Sequence, residues 1–335
     1  IGGKFIMAII DKPSGVFNTK LYTGNGSSNA ITGVGFQPNF TWIKNIALSG
    51  GYAHSLFDSL RGANKRLKSN STNAEETLSN SFNSFNSDGF TLGADSQTDE
   101  LNKSGAAQVS WNWKEQPGVF DIVSFTGNGN ARTISHNLGV VPKFMIIKDR
   151  DNVRNWGTYH VAIGPGKDAG YLNNTVVPEA NNNFWNNTAP TASVFSVGTD
   201  GTYNGNGNKY IIYLFGDSSM SKLGSYTGNG SGNGPFIYTG FKPSWLLVKL
   251  TSGADDWQIL DNRRNPNNTM NFYLRPNSNG STVTNSVVNF LSNGFKLVSS
   301  AGSWNPSGGS FIYMAFAENP LVTSTGNGSI PACAR

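Results

Sequence analysis

The side chains able to do chemistry are few and scattered. Glycoside hydrolysis on a β-sheet needs two carboxyl groups flanking one bond, and no strand-like stretch carries acids in alternation. Asp255 and Asp256 are adjacent, so on a strand they face opposite sides. Asp261 is the best-placed acid, and its counterparts in the internal repeat described below are Asp58 and His160. The three histidines, His54, His136 and His160, have no second ligand at i+2 or i+4 and read as packing or surface residues. Asp149 and Asp151 are the one close acidic pair that could serve calcium in the middle of the chain, with Arg150 between them. The Thr-Gly-Asn-Gly elements resemble phosphate loops, but neither a Gly-Lys-Ser/Thr nor a helix follows them. A Gly-x-Ser-x-Gly elbow does not occur. One cysteine allows neither an internal disulfide nor a Cys-based zinc cluster. The expectation is a protein without catalytic residues, cofactor or metal.

Binding is better supplied. Sugar recognition sets aromatic faces against C–H surfaces, with amides and hydroxyls for the ring oxygens. Three stretches combine these types in a Gly/Asn-rich context: Phe184, Trp185 and Asn186; Tyr273 beside Asn271 and Phe272; and Trp304 with Asn305. These are the candidate glycan-binding residues. The competing reading is that the rings anchor their own loops or pack between units.

The elements that must position these residues are strands. Only 13% of residues are charged, 12% are aromatic and 40 are glycine, a strand-and-turn composition with enough apolar material for a core. The formal charge of +5 and pI of about 9.2 favour acidic polysaccharide or lipopolysaccharide over nucleic acid, because no dense basic stripe is present. The densest basic run, Arg61, Lys65, Arg66 and Lys68, precedes Glu75 and Glu76 and reads as a solvated loop. No apolar run is long enough to insert into a membrane as a helix.

The chain repeats itself three times. Tyr22-Thr23-Gly24-Asn25-Gly26 recurs at Phe125–Gly129 and at Tyr226–Gly230, at intervals of 103 and 101 residues. A Gly-x-x-Pro element then leads into an apolar run ending at Lys44, Lys148 and Lys249. Each unit closes on an alternating strand: Val109, Trp111 and Trp113; Ile211, Tyr213 and Phe215; Ile312, Met314 and Phe316. Alternation predicts one buried face for each closing strand. Asp88-Gly89 and Asn293-Gly294 predict hairpins, and Asp200-Gly201 is the weaker match between them. Residues 71–79 are the one helical candidate, with Glu75 and Glu76 in the early turns.

The expected fold is therefore all-β, with three tandem antiparallel β-sandwich repeats (jelly-roll or lectin-like) of about 100 residues. The repeats span 7–117, 118–218 and 219–320, and a tail spans 321–335. The short connections predict units packed on one another, in series or with pseudo-threefold character. Residues 1–6 read either as translated leader ahead of Met7 or as a genuine first strand.

Met7-Ala8-Ile9-Ile10-Asp11-Lys12-Pro13-Ser14, the Tyr22–Gly26 element, Gly240-Phe241-Lys242-Pro243-Ser244-Trp245 and Tyr313–Pro320 together resemble a group of tail-fibre-like, uncharacterised structural proteins of marine and environmental tailed phages. The resemblance covers nearly the whole chain. It implies a virion-surface, extracellular protein with a repeated β-rich domain, engaged in host attachment, and it carries no catalytic residues. Partners would be host polysaccharide or lipopolysaccharide, other virion proteins, and further copies as a trimer or higher assembly. The sequence departs from a long fibre in having no coiled-coil heptads and no collagen-like shaft. Three functions follow: a non-catalytic glycan-binding surface protein; a structural subunit, such as a capsid decoration or filament, whose repeats self-assemble; and a polysaccharide depolymerase using Asp261.

Overall fold

The computed structural model describes residues 12–46, 51–94, 99–319, 321–322 and 331–332. Residues 1–6, on which the leader and first-strand readings both fall, and the greater part of the tail lie outside them. The first unit holds β1 (Phe17–Thr23), β2 (Asn29–Ile31), β3 (Phe40–Asn45), β4 (Ser55–Asp58), β5 (Lys65–Arg66), β6 (Glu76–Thr77), β7 (Phe82–Asn86), β8 (Gly89–Leu92), the helical turn α1 (Asp99–Asn102) and β9 (Ala107–Trp113). The second holds β10 (Phe120–Thr126), β11 (Arg132–Ser135), β12 (Phe144–Asp149), β13 (Gly157–His160), α2 (Asn182–Trp185), β14 (Val194–Val197), α3 (Gly201–Asn204) and β15 (Lys209–Phe215). The third holds β16 (Ser221–Thr227), β17 (Phe236–Tyr238), β18 (Pro243–Leu250), β19 (Trp257–Asp261), β20 (Met270–Leu274), β21 (Val283–Leu291), β22 (Gly294–Leu297) and β23 (Ser310–Ala317). A short pair, β24 (Leu321–Val322) and β25 (Pro331–Ala332), follows.

The protein is all-β and its sheets are antiparallel. Each unit builds the same inner sheet, in the orders β1-β9-β3-β4, β10-β15-β12-β13 and β16-β23-β18-β19. Smaller outer sheets, β2-β8-β7 and β11-β14, cover the first two. In the third unit the inner sheet continues through β20-β21-β22-β17 into one eight-stranded, nearly closed sheet.

The inner faces of all three inner sheets meet in one core. It takes Phe40, Trp111 and Trp113 from the first unit, Phe144, Tyr213 and Phe215 from the second, and Trp245, Met314 and Phe316 from the third. Each unit also closes a core of its own, between inner and outer sheets in the first two and within the eight-stranded sheet in the third. The closing strands thus bury both faces, where alternation predicted one. In β15, Ile211, Tyr213 and Phe215 enter the shared core, and Tyr210, Ile212 and Leu214 enter the unit's own. A strand buried on both sides is nearly continuous in apolar character, as Phe144–Ile147 shows.

The Thr-Gly-Asn-Gly elements are turns, as predicted, and each ends the first strand of its unit. Their first glycine is dictated by contact. A Cβ would lie 2.2 Å from the Lys103 carbonyl at Gly24, 2.1 Å from Gly205 at Gly127 and 2.3 Å from Pro306 at Gly228. The second glycine is left-handed, with φ of +69°, +72° and +70° at Gly26, Gly129 and Gly230.

Two local expectations change. Residues 71–79 form no helix. Glu75 and Glu76 are drawn out by distant arginines, Glu75 by Arg150 at 2.9 Å and Arg61 at 3.2 Å, and Glu76 by Arg66 at 2.5 Å. The basic run is accordingly not a solvated loop, since Arg61 and Arg66 are buried. Asp88-Gly89 and Asn293-Gly294 do join hairpins β7–β8 and β21–β22. Asp200-Gly201 instead opens α3, with the Asp200 side chain accepting from Thr202 N at 2.7 Å, and the strand in the hairpin's place is β14.

Candidate functional site

The predicted sugar-binding residues are, with one exception, interior. Phe184, Trp185, Tyr273, Trp304 and Asn305 are between 0% and 5% exposed. Phe184 stacks on Tyr203 at 4.7 Å and Trp185 meets it edge-on at 4.9 Å. Tyr273 packs edge-on against Trp304 at 5.4 Å. These rings present no face to solvent. Asn186 is exposed, but it stands in the left-handed position that ends α2. The six lie in two units and form no common site.

Asn305 has a clear alternative role. Its Nδ2 donates to the Ser231 carbonyl at 2.7 Å and the Ser299 carbonyl at 3.0 Å, and its Oδ1 accepts from Asn229 N at 2.7 Å. Asn204 does the same with Asn130, Gly198 and Asn128, and Asn102 with Ser27, Gly93 and Asn25. One buried amide therefore clamps each Thr-Gly-Asn-Gly turn. The spacing of 102 and 101 residues from Asn102 through Asn204 to Asn305 was the available signal.

The acids also serve the fold. Asp58, His160 and Asp261 end equivalent strands, β4, β13 and β19, and all are 0–1% exposed. Asp58 pairs with Arg61 and accepts from Tyr213 Oη at 2.8 Å. Asp261 pairs with Arg264 at 2.5 Å and accepts from Trp111 Nε1 at 3.1 Å. Tyr213, Trp111 and Met314 hold the same position on β15, β9 and β23. The second unit thus reaches the first, the first reaches the third, and Met314 of the third stands with His160 of the second around a cavity of about 10 Å³ at their seam. Three seams close a ring. At the second–third seam the charged set is replaced by His160, Ile163 and Met314. Burial pushes His160 down to about 4, against the opposing pull of the Tyr313 backbone and Asp217.

Asp149 and Asp151 fold their own turn. Asp149 Oδ1 accepts from Asp151 N at 2.9 Å and Asn152 N at 3.0 Å, and Asp151 Oδ2 accepts from Lys209 N at 2.8 Å. Among the described residues no three His, Cys, Asp or Glu side chains converge as metal ligands. Nor is any helix among them long and apolar enough to cross a membrane.

Two surface features remain. The first is aromatic. Among the described residues the exposed rings are Phe236 (45%), Tyr238 (65%) and Phe272 (37%), all in the third unit. Phe236 and Tyr238 flank the buried Ile237 on β17, so both point outward. Ile237 faces Phe295 as Ile31 faces Phe90 and Ile134 faces Phe195. That register equates Phe236 with Ala30 and Thr133, and Tyr238 with Thr32 and Ser135. The fold therefore tolerates small residues where the third unit shows two rings. Comparing the flanks of the three isoleucines would have found them in the sequence.

The second feature is a polar cleft of about 120 Å³ where the first and third units meet, lined by Asn18, Thr19, Ser244, Asn262, Arg263 and Glu318 among others. Reciprocal bonds between Ser14 and Asn319 close its rim: Ser14 N to Asn319 Oδ1 at 2.9 Å, and Asn319 Nδ2 to Ser14 Oγ at 2.7 Å. The sequence from residue 12 to residue 320, through all three units, matches a single family, DUF7483, described as a domain of unknown function. The chain belongs to the DUF7483 family. The match runs from two residues before Ser14 to one after Asn319, so in the DUF7483 chain it takes in all three units. No curated protein matches the DUF7483 chain.

Proposed function

We propose that this chain is a non-catalytic surface protein that binds glycan through Phe236 and Tyr238, on the exterior of a tailed-phage particle. The observation that carries the glycan reading is the exposed ring pair, placed where the other two units have Ala30 with Thr32 and Thr133 with Ser135. Two residues along a strand span roughly 6.7 Å, so the rings form a shelf on which sugar C–H faces can stack. Ser292 and Asn293, exposed at the hairpin beside Tyr238, supply hydroxyl and amide groups. The virion setting rests on the sequence resemblance alone. The absence of catalysis is supported by the acids Asp58, Asp149 and Asp261, each already engaged by donors of the protein.

The test is a glycan array followed by calorimetry with the double variant Phe236→Thr, Tyr238→Ser, which installs the second unit's residues. Affinity should fall by about tenfold or more with thermal stability unchanged. Binding that survives the double substitution overturns the reading. A second reading, self-assembly, is favoured by the position of β17 at the end of its sheet order, where an edge strand can pair with another chain. It requires oligomers that the same double variant dissolves, with no glycan affinity.

A further inference from the structure

At two seams the chain itself shows what group the cleft is built to receive. Glu115 and Asp217 follow β9 and β15 at equivalent positions. Glu115 Oε1 accepts from Ile122 N at 3.3 Å, and Asp217 Oδ1 accepts from Leu223 N at 2.7 Å. Each carboxylate thus satisfies an outward N–H on the edge strand of the next unit, β10 or β16. The register places Thr19 of β1 where Ile122 and Leu223 stand, because Thr19 faces Trp111 as Ile122 faces Tyr213 and Leu223 faces Met314. Its N–H points toward the third unit in the same way.

There the pattern departs. The equivalent acid, Glu318, is turned aside, held by Lys242 at 2.8 Å and by Asn262 Nδ2 at 2.9 Å. The cleft lies in front of Thr19 instead. Thr19 is also the one polar residue of the three. Ile122 and Leu223 belong to the shared core; Thr19 is as buried as Ile122, each 6% exposed, but its Oγ1 has no hydrogen-bond partner. A buried, unpaired hydroxyl costs about 1–3 kcal/mol; Thr19 shares that state with other side chains, His160 Nε2 and Trp245 Nε1 among them, and what sets it apart is its place on the wall of a polar cleft. Arg263 at the mouth is exposed and pairs with no carboxylate among the described residues.

We propose that this cleft binds the carboxylate of an acidic sugar residue, which takes the position that Glu115 and Asp217 occupy at the other seams. One oxygen accepts from Thr19 N–H and Oγ1, and Arg263 supplies the opposite charge. Lys242 neutralises Glu318, so the cleft carries a net positive charge. Asn18, Ser244 and Asn262 offer amide and hydroxyl groups to the ring. The sugar part rests on the glycan reading above; the carboxylate part does not.

The test titrates the ¹⁵N-labelled full chain with trigalacturonate and, separately, with its methyl ester. The acid should shift the Thr19 amide and the ester should not. Arg263→Gln and Thr19→Ile, the latter importing the second unit's residue, should each weaken acid binding by about tenfold or more. Phe236→Thr with Tyr238→Ser should leave the Thr19 response intact. Equal responses to acid and ester, or wild-type affinity in both cleft variants, overturn the proposal. A Thr19 response to acid when no glycan engages Phe236 and Tyr238 keeps the carboxylate site and removes the ring-shelf reading. Binding at the rings without any Thr19 response does the reverse.

Discussion

The seam between the first and second units offers the sharpest energetic test. The Arg61 and Asp58 side chains are both fully buried, and Arg61 also reaches Glu75 at 3.2 Å and the Leu56 carbonyl at 3.0 Å. Arg61→Ile leaves Asp58 as a buried charge with Tyr213 Oη and backbone N–H as its remaining donors. Breaking one side of such a pair costs about 3–5 kcal/mol. Unfolding entropy of about 2.1 cal/mol/K per residue gives roughly 0.7 kcal/mol/K for a chain of 335 residues, so Tm should fall by about 4–7 °C. The triple variant Asp58→His, Arg61→Ile, Tyr213→Met imports His160, Ile163 and Met314, a set the ring already uses at its next seam. It removes both charges together. Glu75 keeps Arg150 at 2.9 Å and 3.0 Å. Its cost should stay below about 2 kcal/mol, less than Arg61→Ile alone. Calorimetry of the full chain measures all variants, and the shared core predicts one transition. The reasoning is wrong if Arg61→Ile costs less than about 1 kcal/mol, or if the triple costs as much as its single substitutions added together.

Acid should weaken the protein through His160. Its folded-state pKa of about 4 lies below the usual 6.5, so the unfolded chain takes up a proton first; the stability this contributes is full above 6.5 and drains as pH falls to about 4. The loss is on the order of 3 kcal/mol. Urea unfolding at pH 7 and pH 4.5 should show a smaller difference for His160→Gln than for wild type; the same difference in both would sink the idea. His54, which burial, Lys44 and Arg264 drive down in the same direction, stays in both proteins as a common background. Asn204→Ala removes the clamp on the second Thr-Gly-Asn-Gly turn and should cost about 2–4 kcal/mol through unpaired buried groups. It should appear as a lower denaturation midpoint at constant m-value, and an unchanged midpoint would show that the glycines alone hold the turn.

The repeat was legible because its markers answer backbone demands that only one residue type meets. Gly24, Gly127 and Gly228 have a carbonyl where a Cβ would stand, and no context relaxes that. Burial was less legible, because a strand's alternation does not say that a second unit covers its other face. Val109, Trp111 and Trp113 look alike whether solvent or two further sheets lie opposite. Distant pairing misled in the same way: Glu75 and Glu76 have the spacing of a helix start, yet Arg61, Arg66 and Arg150 decide their conformation. The candidate sugar residues failed for a chemical reason. An asparagine that binds a ring hydroxyl and one that binds its own turn are identical in composition and neighbours, and Asn305 is the second kind.

A ring of three copies carries its own control, since what the fold requires must appear at each seam. Departures in one copy then divide by whether the surroundings changed with them. His160, Ile163 and Met314 depart as a complete set, exchanging a buried charged group for a neutral one, and the core closes around them apart from a cavity of about 10 Å³. That exchange leaves His160 Nε2 buried without a partner, against an apolar cavity too small for a ligand. Thr19 departs alone: its neighbours offer Oγ1 no partner, and Glu318 is turned away from it. Phe236 and Tyr238 depart toward water, 45% and 65% exposed, although the Phe236 ring also rests over Gly294. An uncompensated departure is a cost to folding, and a ligand that contacts it would recover that cost. That is the ground for proposing the third unit's outer strand, and the cleft it shares with the first, as the ligand-facing side.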